Sequence, residues 1–287
     1  MKTAQAMSVA ETKREIRTLV SRYKKEGKSI GFVPTMGYLH EGHLALAKQA
    51  RKENDIVIMS IFVNPLQFGP NEDFDRYPRD AEGDRHKAEA AGVDVLFIPS
   101  VKEMYPRALS VQIKVTKGTD VLCGRKRPGH FDGVAVVLSK LFHLVQPDRA
   151  YFGLKDAQQV AVVENLVRDL DFPVDIVPCP IVREPDGLAK SSRNVYLSEA
   201  ERKEAPEIYK SLQLANKAVE QGERNPEKVI SLVEAHLSAH LSGKIDYVEL
   251  YSYPELEPVH AINGRCILAV AVQFEKARLI DNIIFAG

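Results

Sequence analysis

Residues 31–50 read GFVPTMGYLHEGHLALAKQA. An apolar strand runs into a Pro-Thr-Met-Gly turn at 34–37, and a helical pattern begins within a few residues. A turn of this kind faces the crevice at the carboxyl end of a parallel strand. His40 and His43 stand three residues apart across the helix start, so both imidazoles can project from one side, beside backbone N–H groups that have no partner within the helix. Phosphate fits such a place. Gly37 and Gly42 leave room for a ligand to approach the backbone, and Glu41 can point away from it.

Outward from this turn, apolar runs of strand length alternate with helical periodicity through roughly the first 180 residues. Strands are expected at 29–34, 55–63, 93–99, 149–152 and 174–178, with helices over 43–53, 81–91, 133–145 and 156–169. That alternation implies an α/β fold with a parallel sheet covered on both faces. After Asn194 the pattern changes to two charged amphipathic helices, 198–221 and 225–240, then strands near 246–252, 265–274 and 277–285. The expected organisation is a parallel-sheet domain over residues 1–184 and a smaller C-terminal α+β domain over 185–287. The stretch 183–194, with Pro185, Asp186 and Gly187, is expected as a hinge. Such a hinge lets the second domain act as a lid.

Thirty-nine Lys+Arg balance 39 Asp+Glu in 287 residues, so no overall field holds the chain on nucleic acid or an anionic membrane. A small-molecule partner is expected instead. The basic run Gly124–Arg127 is too short to change that. Cys123, Cys179 and Cys266 are odd in number and widely spaced, which argues against a disulfide framework and a zinc knuckle. The first 20 residues contain no apolar stretch of signal-peptide or membrane-spanning length, so a cytoplasmic location is expected.

His40-Glu-Gly-His43 is not the His-Glu-x-x-His of a metalloprotease helix, because the spacing is three and no further ligand stands nearby. Neither G-x-G-x-x-G after a strand nor G-x-x-x-x-G-K-[ST] is present. His86, His143, His236, His240 and His260 are read as solvent-exposed or structural, and His130 as part of a pocket wall.

Read with five later segments, the turn resembles the pantothenate synthetase family, the pantoate:beta-alanine ligases. Pro34–His43 matches its P-T-M-G-x-L-H-x-G-H turn, and Phe62, Val63, Asn64, Pro65, Gln67 and Phe68 match its F-V-N-P-x-Q-F strand end. Tyr77-Pro-Arg79, Arg127 with Gly129–Val134, Gly153–Gln159 and Ser191–Asn194 follow in the family's order, so the similarity spans essentially the whole chain. The resemblance implies a Rossmann-like fold of the nucleotidyltransferase type. It also implies an AMP-forming ligase that joins pantoate to beta-alanine through a pantoyl adenylate, with ATP as a substrate, Mg²⁺ as a cofactor and a homodimeric assembly. Lys190, Leu154 and Ala157 depart from the family's usual residues.

By that resemblance, His43 is the proton donor near ATP, and Met36, Gly37, Tyr38, Leu39, His40, Glu41, Gly42 and His43 contact the nucleotide. Gly153, Leu154, Lys155, Asp156, Val182, Lys190, Ser191, Ser192 and Arg193 complete that site. Gln67 and Gln159 are the pantoate ligands, Gln67 also near beta-alanine, with Asn64 as a neighbour. The chemistry asks for these types. When a carboxylate attacks the α-phosphate, charge gathers on phosphate oxygens and departing pyrophosphate, and Lys155, Arg193, Ser191, Ser192, His40 and His43 supply cations and donors. His43 can serve as an acid or purely electrostatically. Asp156 can help hold Mg²⁺ or pair with a basic neighbour, so the metal ligands stay unassigned. Two rival readings are a nucleotidyltransferase that needs no amine and a non-catalytic nucleotide-binding regulator.

Overall fold

The computed structural model describes residues 6–70, 72 and 74–285. Asn71 and Asp73 lie outside the described residues. The chain separates into two compact units. Unit 1 comprises residues 1–116, 127–153 and 162–179, and unit 2 comprises 117–126, 154–161 and 180–287. The division expected after residue 184 thus falls after Cys179, and two short earlier segments go with the second unit.

Unit 1 is a parallel sheet of β1 (Ser8–Ala10), β2 (Ile30–Thr35), β3 (Ile56–Ile61), β4 (Val95–Phe97), β5 (Arg149–Gly153) and β6 (Asp175–Cys179), in the order β1-β4-β3-β2-β5-β6. Every neighbouring pair is parallel. The helices are α1 (Lys13–Lys25), α2 (Glu41–Glu53), α3 (Ala81–Ala90), α4 (Val101–Met104), α5 (His130–Val145) and α6 (Ala157–Asp169), the last dividing between the units after Ala161. β2 reads as an unbroken apolar run because both its faces are covered. On one face Val33, Val57, Met59, Leu96 and Tyr151 pack with Leu46, Ala47 and Ala50 of α2 and Ala88 of α3. On the other, Phe32 meets Phe142 of α5 edge-on at 6.5 Å, and α1 packs against α5.

β1 is absent from the expected strands because three residues carry too little period to stand out before the helical pattern of α1. Among the described residues its strand partner is β4, to which it pairs from Ser8↔Val95 to Ala10↔Phe97.

In unit 2 an antiparallel sheet of β7 (Lys244–Ser252), β8 (Cys266–Gln273) and β9 (Arg278–Phe285) carries helices α7 (Glu199–Glu204), α8 (Glu207–Glu220) and α9 (Pro226–His240). Leu212, Ala215, Val229, Val233 and Leu237 of α8 and α9 pack on Leu268, Val270 and Val272 of β8. Leu122, Ala157, Ala161 and Tyr253 cover Ile267 and Ala269, which alternate to the opposite face. The single helix expected over 198–221 is two, α7 and α8, because Pro206 has no N–H to continue the first and starts the second. The stretch expected as a hinge is pinned. Arg183 bridges to Ala189 across a Pro185-Asp186-Gly187 turn and forms a two-bond ion pair with the buried Asp281, at 2.6 and 3.0 Å.

Candidate active site

β2 is the central strand at which the order reverses, with β3 on one side and β5 on the other, so its carboxyl end is the place where an open α/β sheet takes a ligand. There Gly37 and Tyr38 both adopt positive φ, 87° and 50°. A Cβ on residue 37 would stand 2.8 Å from the Ile61 side chain and 3.0 Å from the Asp84 carboxylate, so glycine is required by conformation and by space. The turn delivers the chain to His40, which caps α2.

The cap is unusual in chemistry. His40 Nδ1 accepts from Gly42 N at 3.1 Å, and His43 Nδ1 accepts from His40 N at 3.3 Å, a reciprocal capping box built from two imidazoles. An imidazole nitrogen that accepts is unprotonated, so each neutral ring carries its proton on Nε2. The ring centroids lie 4.1 Å apart, inclined by 35°. The pair therefore donates from Nε2 at a helix start, where the backbone already favours anions.

What holds this turn is a residue that sequence reasoning passed over. Asp84 of α3, 1% exposed, accepts from Tyr38 N at 2.7 Å and Leu39 N at 2.6 Å. Lys87, one turn on, donates to Leu39 O at 3.0 Å. Burial pushes the Asp84 carboxyl above its ordinary range against the pull of those two N–H groups. Its signal in sequence was only an acidic residue in a first helical turn, which the helix dipole already explains. Asp84→Ala is expected to lower unfolding stability by about 2–4 kcal/mol, since it orphans two N–H groups, one on the buried Leu39. Denaturant unfolding of the variant measures this; a loss under about half a kilocalorie would mean that the turn finds other acceptors.

At the end of β3, Asn64, Gln67 and four residues from distant segments, Tyr105, Arg127, His130 and Gly133, form a second cluster. Asn64 is fully buried; its Nδ2 donates to Gln67 Oε1 and Gly133 O, both at 3.0 Å. Its Oδ1 accepts from Leu66 N at 3.3 Å and Tyr105 Oη at 2.9 Å. All four of its hydrogen-bonding positions are thus used within unit 1. Gln67, with Oε1 held, has no protein partner for Nε2 among the described residues. Its carbonyl accepts from His130 Nδ1 at 2.8 Å and Arg127 Nη2 at 3.3 Å, while Arg127 Nη1 donates to His130 Nε2 at 3.1 Å. Arg127 also grips Glu72, 2.8 Å from Nε. Burial raises the Glu72 carboxyl, but the guanidinium's hydrogen bonds and charge pull it below the ordinary range. His130 and Arg127 thereby brace the Gln67 backbone.

Gly153 ends β5 in unit 1, and unit 2 carries the remaining expected residues. Lys155, Nζ 3.6 Å from Asp156 Oδ2, is held in a short 3₁₀ turn by the buried Asn282, which donates to Leu154 O and Lys155 O at 2.9 and 3.1 Å. Of the two adjacent glutamines, Gln158 is buried and donates to Gly118 O and Val121 O at 2.9 and 2.8 Å. Gln159 is half-buried, and its side-chain amide has no protein hydrogen bond among the described residues. Ser191 caps the 3₁₀ helix Ser192–Tyr196 and accepts from Arg193 N at 3.3 Å. Lys190 N donates to Val182 O at 2.9 Å, and Lys190 Nζ pairs with Glu184 at 2.8 Å. The basic run is spent on carboxylates: Arg125 on Glu249, Lys126 on Asp246 and Arg127 on Glu72.

A parallel sheet whose central strand ends in a histidine-capped, amide-lined helix start defines a Rossmann-like α/β protein built to hold an anionic group. The sequence model described as pantoate-beta-alanine ligase matches residues 8–284. The chain belongs to the pantoate-beta-alanine ligase family and is a ligase. A curated pantothenate synthetase from Geobacillus sp. (strain WCH70) is 63% identical over 277 residues, which are 96% of this chain and 98% of that one. The crystal structure of pantothenate synthetase from Thermus thermophilus superposes with a TM-score of 0.91 at 48% identity, covering 96% of this chain and 99% of that one. A pantoate-beta-alanine ligase from Francisella tularensis, solved with beta-gamma ATP and beta-alanine, has a TM-score of 0.80 at 36% identity, covering 97% and 98%.

Proposed function

We propose that the chain condenses (R)-pantoate with beta-alanine to pantothenate, cleaving ATP to AMP and pyrophosphate through a pantoyl adenylate. The observation that carries this is the imidazole capping box, which commits both Nδ1 atoms to the backbone and turns Nε2–H donors on a helix start suited to phosphate. In the first step a pantoate carboxylate oxygen bonds to the α-phosphorus and the bond to pyrophosphate breaks. In the second the neutral amine of beta-alanine bonds to the acyl carbon, AMP leaves with the electron pair of the acyl–oxygen bond, and the amine proton passes to solvent.

In this reading each group takes the role that the family resemblance implies and its chemistry supports. His43 and His40 donate to phosphate oxygens as charge develops, and the nucleotide also contacts the 36–43 backbone. Lys155 and Arg193 supply positive charge, Ser191 and Ser192 supply hydroxyl donors, and Gly153, Leu154, Val182 and Lys190 shape the nucleotide's surroundings. Lys190 does so with its charge already shared with Glu184. Gln67 Nε2 and the Gln159 amide are the pantoate ligands, since both have hydrogen-bonding capacity left over. Asn64, whose hydrogen-bonding positions are all used within unit 1, acts in this reading through Gln67, beside which the resemblance sets it. Mg²⁺ takes few protein carboxylates when phosphates share its shell, and the half-exposed Asp156 fits as one of them. When bound, the ion would neutralise phosphate charge. A cytoplasmic homodimer completes the proposal; among the described residues no helix is long and apolar enough to cross a membrane.

Supplying ATP, Mg²⁺ and pantoate with and without beta-alanine tests the reading. AMP that accumulates only with the amine is expected, and Lys155→Met is expected to slow it by about 100-fold or more by removing a cation from the phosphates. AMP release indifferent to the amine would point to a nucleotidyltransferase; ADP in place of AMP would rule out an adenylate.

A further inference from the structure

The helices of unit 2 bring together three metal-binding side chains that the ligase reaction does not use. Glu207 opens α8, and His236 and His240 lie four residues apart on α9, so both imidazoles leave one face of that helix. One ligand atom from each of the three lies within 4.8 Å of the others. The imidazoles are stacked, with centroids 4.3 Å apart and planes inclined by only 20°. His236 Nε2 lies 2.8 Å from Glu207 Oε2, while Lys210 holds the other carboxylate oxygen at 2.7 Å. The carboxylate is thereby kept ionised, its pKa lowered first by the hydrogen bond from Lys210.

An ion pair needs only His236, and it leaves the second ring unexplained. His240 donates from Nδ1 to His236 O at 2.8 Å, which puts the lone pair of its neutral ring on Nε2. Anchoring one ring nitrogen on a backbone carbonyl is how proteins orient an imidazole for metal through the other. Helix-borne histidines at this spacing, joined by a carboxylate, form a familiar three-ligand set for a borderline ion that keeps a water in its fourth position. The two imidazoles favour Zn²⁺, Ni²⁺ or Cu²⁺ over the all-oxygen shell that Mg²⁺ takes.

We propose that Glu207, His236 and His240 form a surface site for a divalent transition metal that clips α8 to α9. Binding takes the Nε2 lone pair of His236, whose neutral ring then carries its one proton on Nδ1, so that the metal replaces the hydrogen bond between His236 Nε2 and Glu207 Oε2 and no proton is lost. The carboxylate has to withdraw by about half an ångström, because ligands about 2 Å from a tetrahedral ion stand farther apart than hydrogen-bonded partners do.

The full-length chain without a histidine tag, titrated at about pH 7.5 with Zn²⁺ by calorimetry and with Co²⁺ by visible absorption, tests this. One equivalent of metal is expected, with the absorption of a four-coordinate Co²⁺ site. His236→Gln and His240→Gln are each expected to weaken uptake by about tenfold or more, with the circular dichroism of the parent and an unchanged rate of Mg²⁺-supported ligation. Saturating Zn²⁺ is expected to raise the apparent unfolding midpoint by about 2–6 °C in the parent and not in the variants. No uptake by the parent, or uptake that either variant leaves intact, overturns the proposal.

Discussion

His43→Ala is expected to lower amine-dependent AMP formation by about 100- to 1,000-fold, the range seen when one preorganised donor to a developing anion is removed. Two things disappear with that side chain: the acceptor for His40 N and the Nε2–H donor. They can be separated. His43→Asn can place an oxygen near the lost Nδ1 and restore the cap, yet it has no group that reaches as far as Nε2. Asparagine is therefore expected to recover stability, about 0.5–2 kcal/mol relative to alanine, while the rate stays low. The measurement is a denaturant melt alongside initial AMP rates for both variants. Recovery of the rate by asparagine would show that capping, and not donation, is the contribution of His43.

Gly133→Ala is expected to damage stability and pantoate binding together. On a solvated helix the change would favour folding, by about 1 kcal/mol. Here the added Cβ of α5 would fall 2.1 Å from Leu66 O, 2.5 Å from Leu66 C and 2.8 Å from Gln67 N, all of them backbone atoms that cannot rotate away. The steric term wins, and the net loss is expected to be about 1–3 kcal/mol. The same displacement moves the Gln67 backbone away from His130 and Arg127, and Asn64 away from Gly133 O. The apparent KM for pantoate is expected to rise about tenfold or more, with that for ATP much less affected. Equal losses for both substrates would indicate general unfolding rather than displacement of Gln67.

Most of the parallel sheet was legible because β2, β3, β5 and β6 are runs of five or six residues, and β4 lies within the longer apolar run 93–99, all separated by helices with a clear period. Helices α1 and α4, strand β1 and the break between α7 and α8 were not. β1 is three residues long and becomes a strand only by pairing with β4. The break between α7 and α8 was written in Pro206, but charged helical periodicity continues on both sides of it and masks the interruption.

The chain by itself determined the family, the candidate site's residue types and the turn that carries them: Gly37 at positive φ, and histidines three apart at a helix start, are properties of neighbours in sequence. Only the tertiary structure decided how those residues are held and which of them have capacity to spare. Asp84 is 45 residues from Leu39, Arg127 is 60 from Gln67, and Asn282 is 128 from Leu154. Nothing local distinguishes Gln158 from Gln159, or the saturated amide of Asn64 from the half-used one of Gln67. Local pattern specifies what a segment can offer, whereas a hydrogen bond between distant segments depends on where packing brings both partners, and a polar group already satisfied there has nothing left to give a substrate.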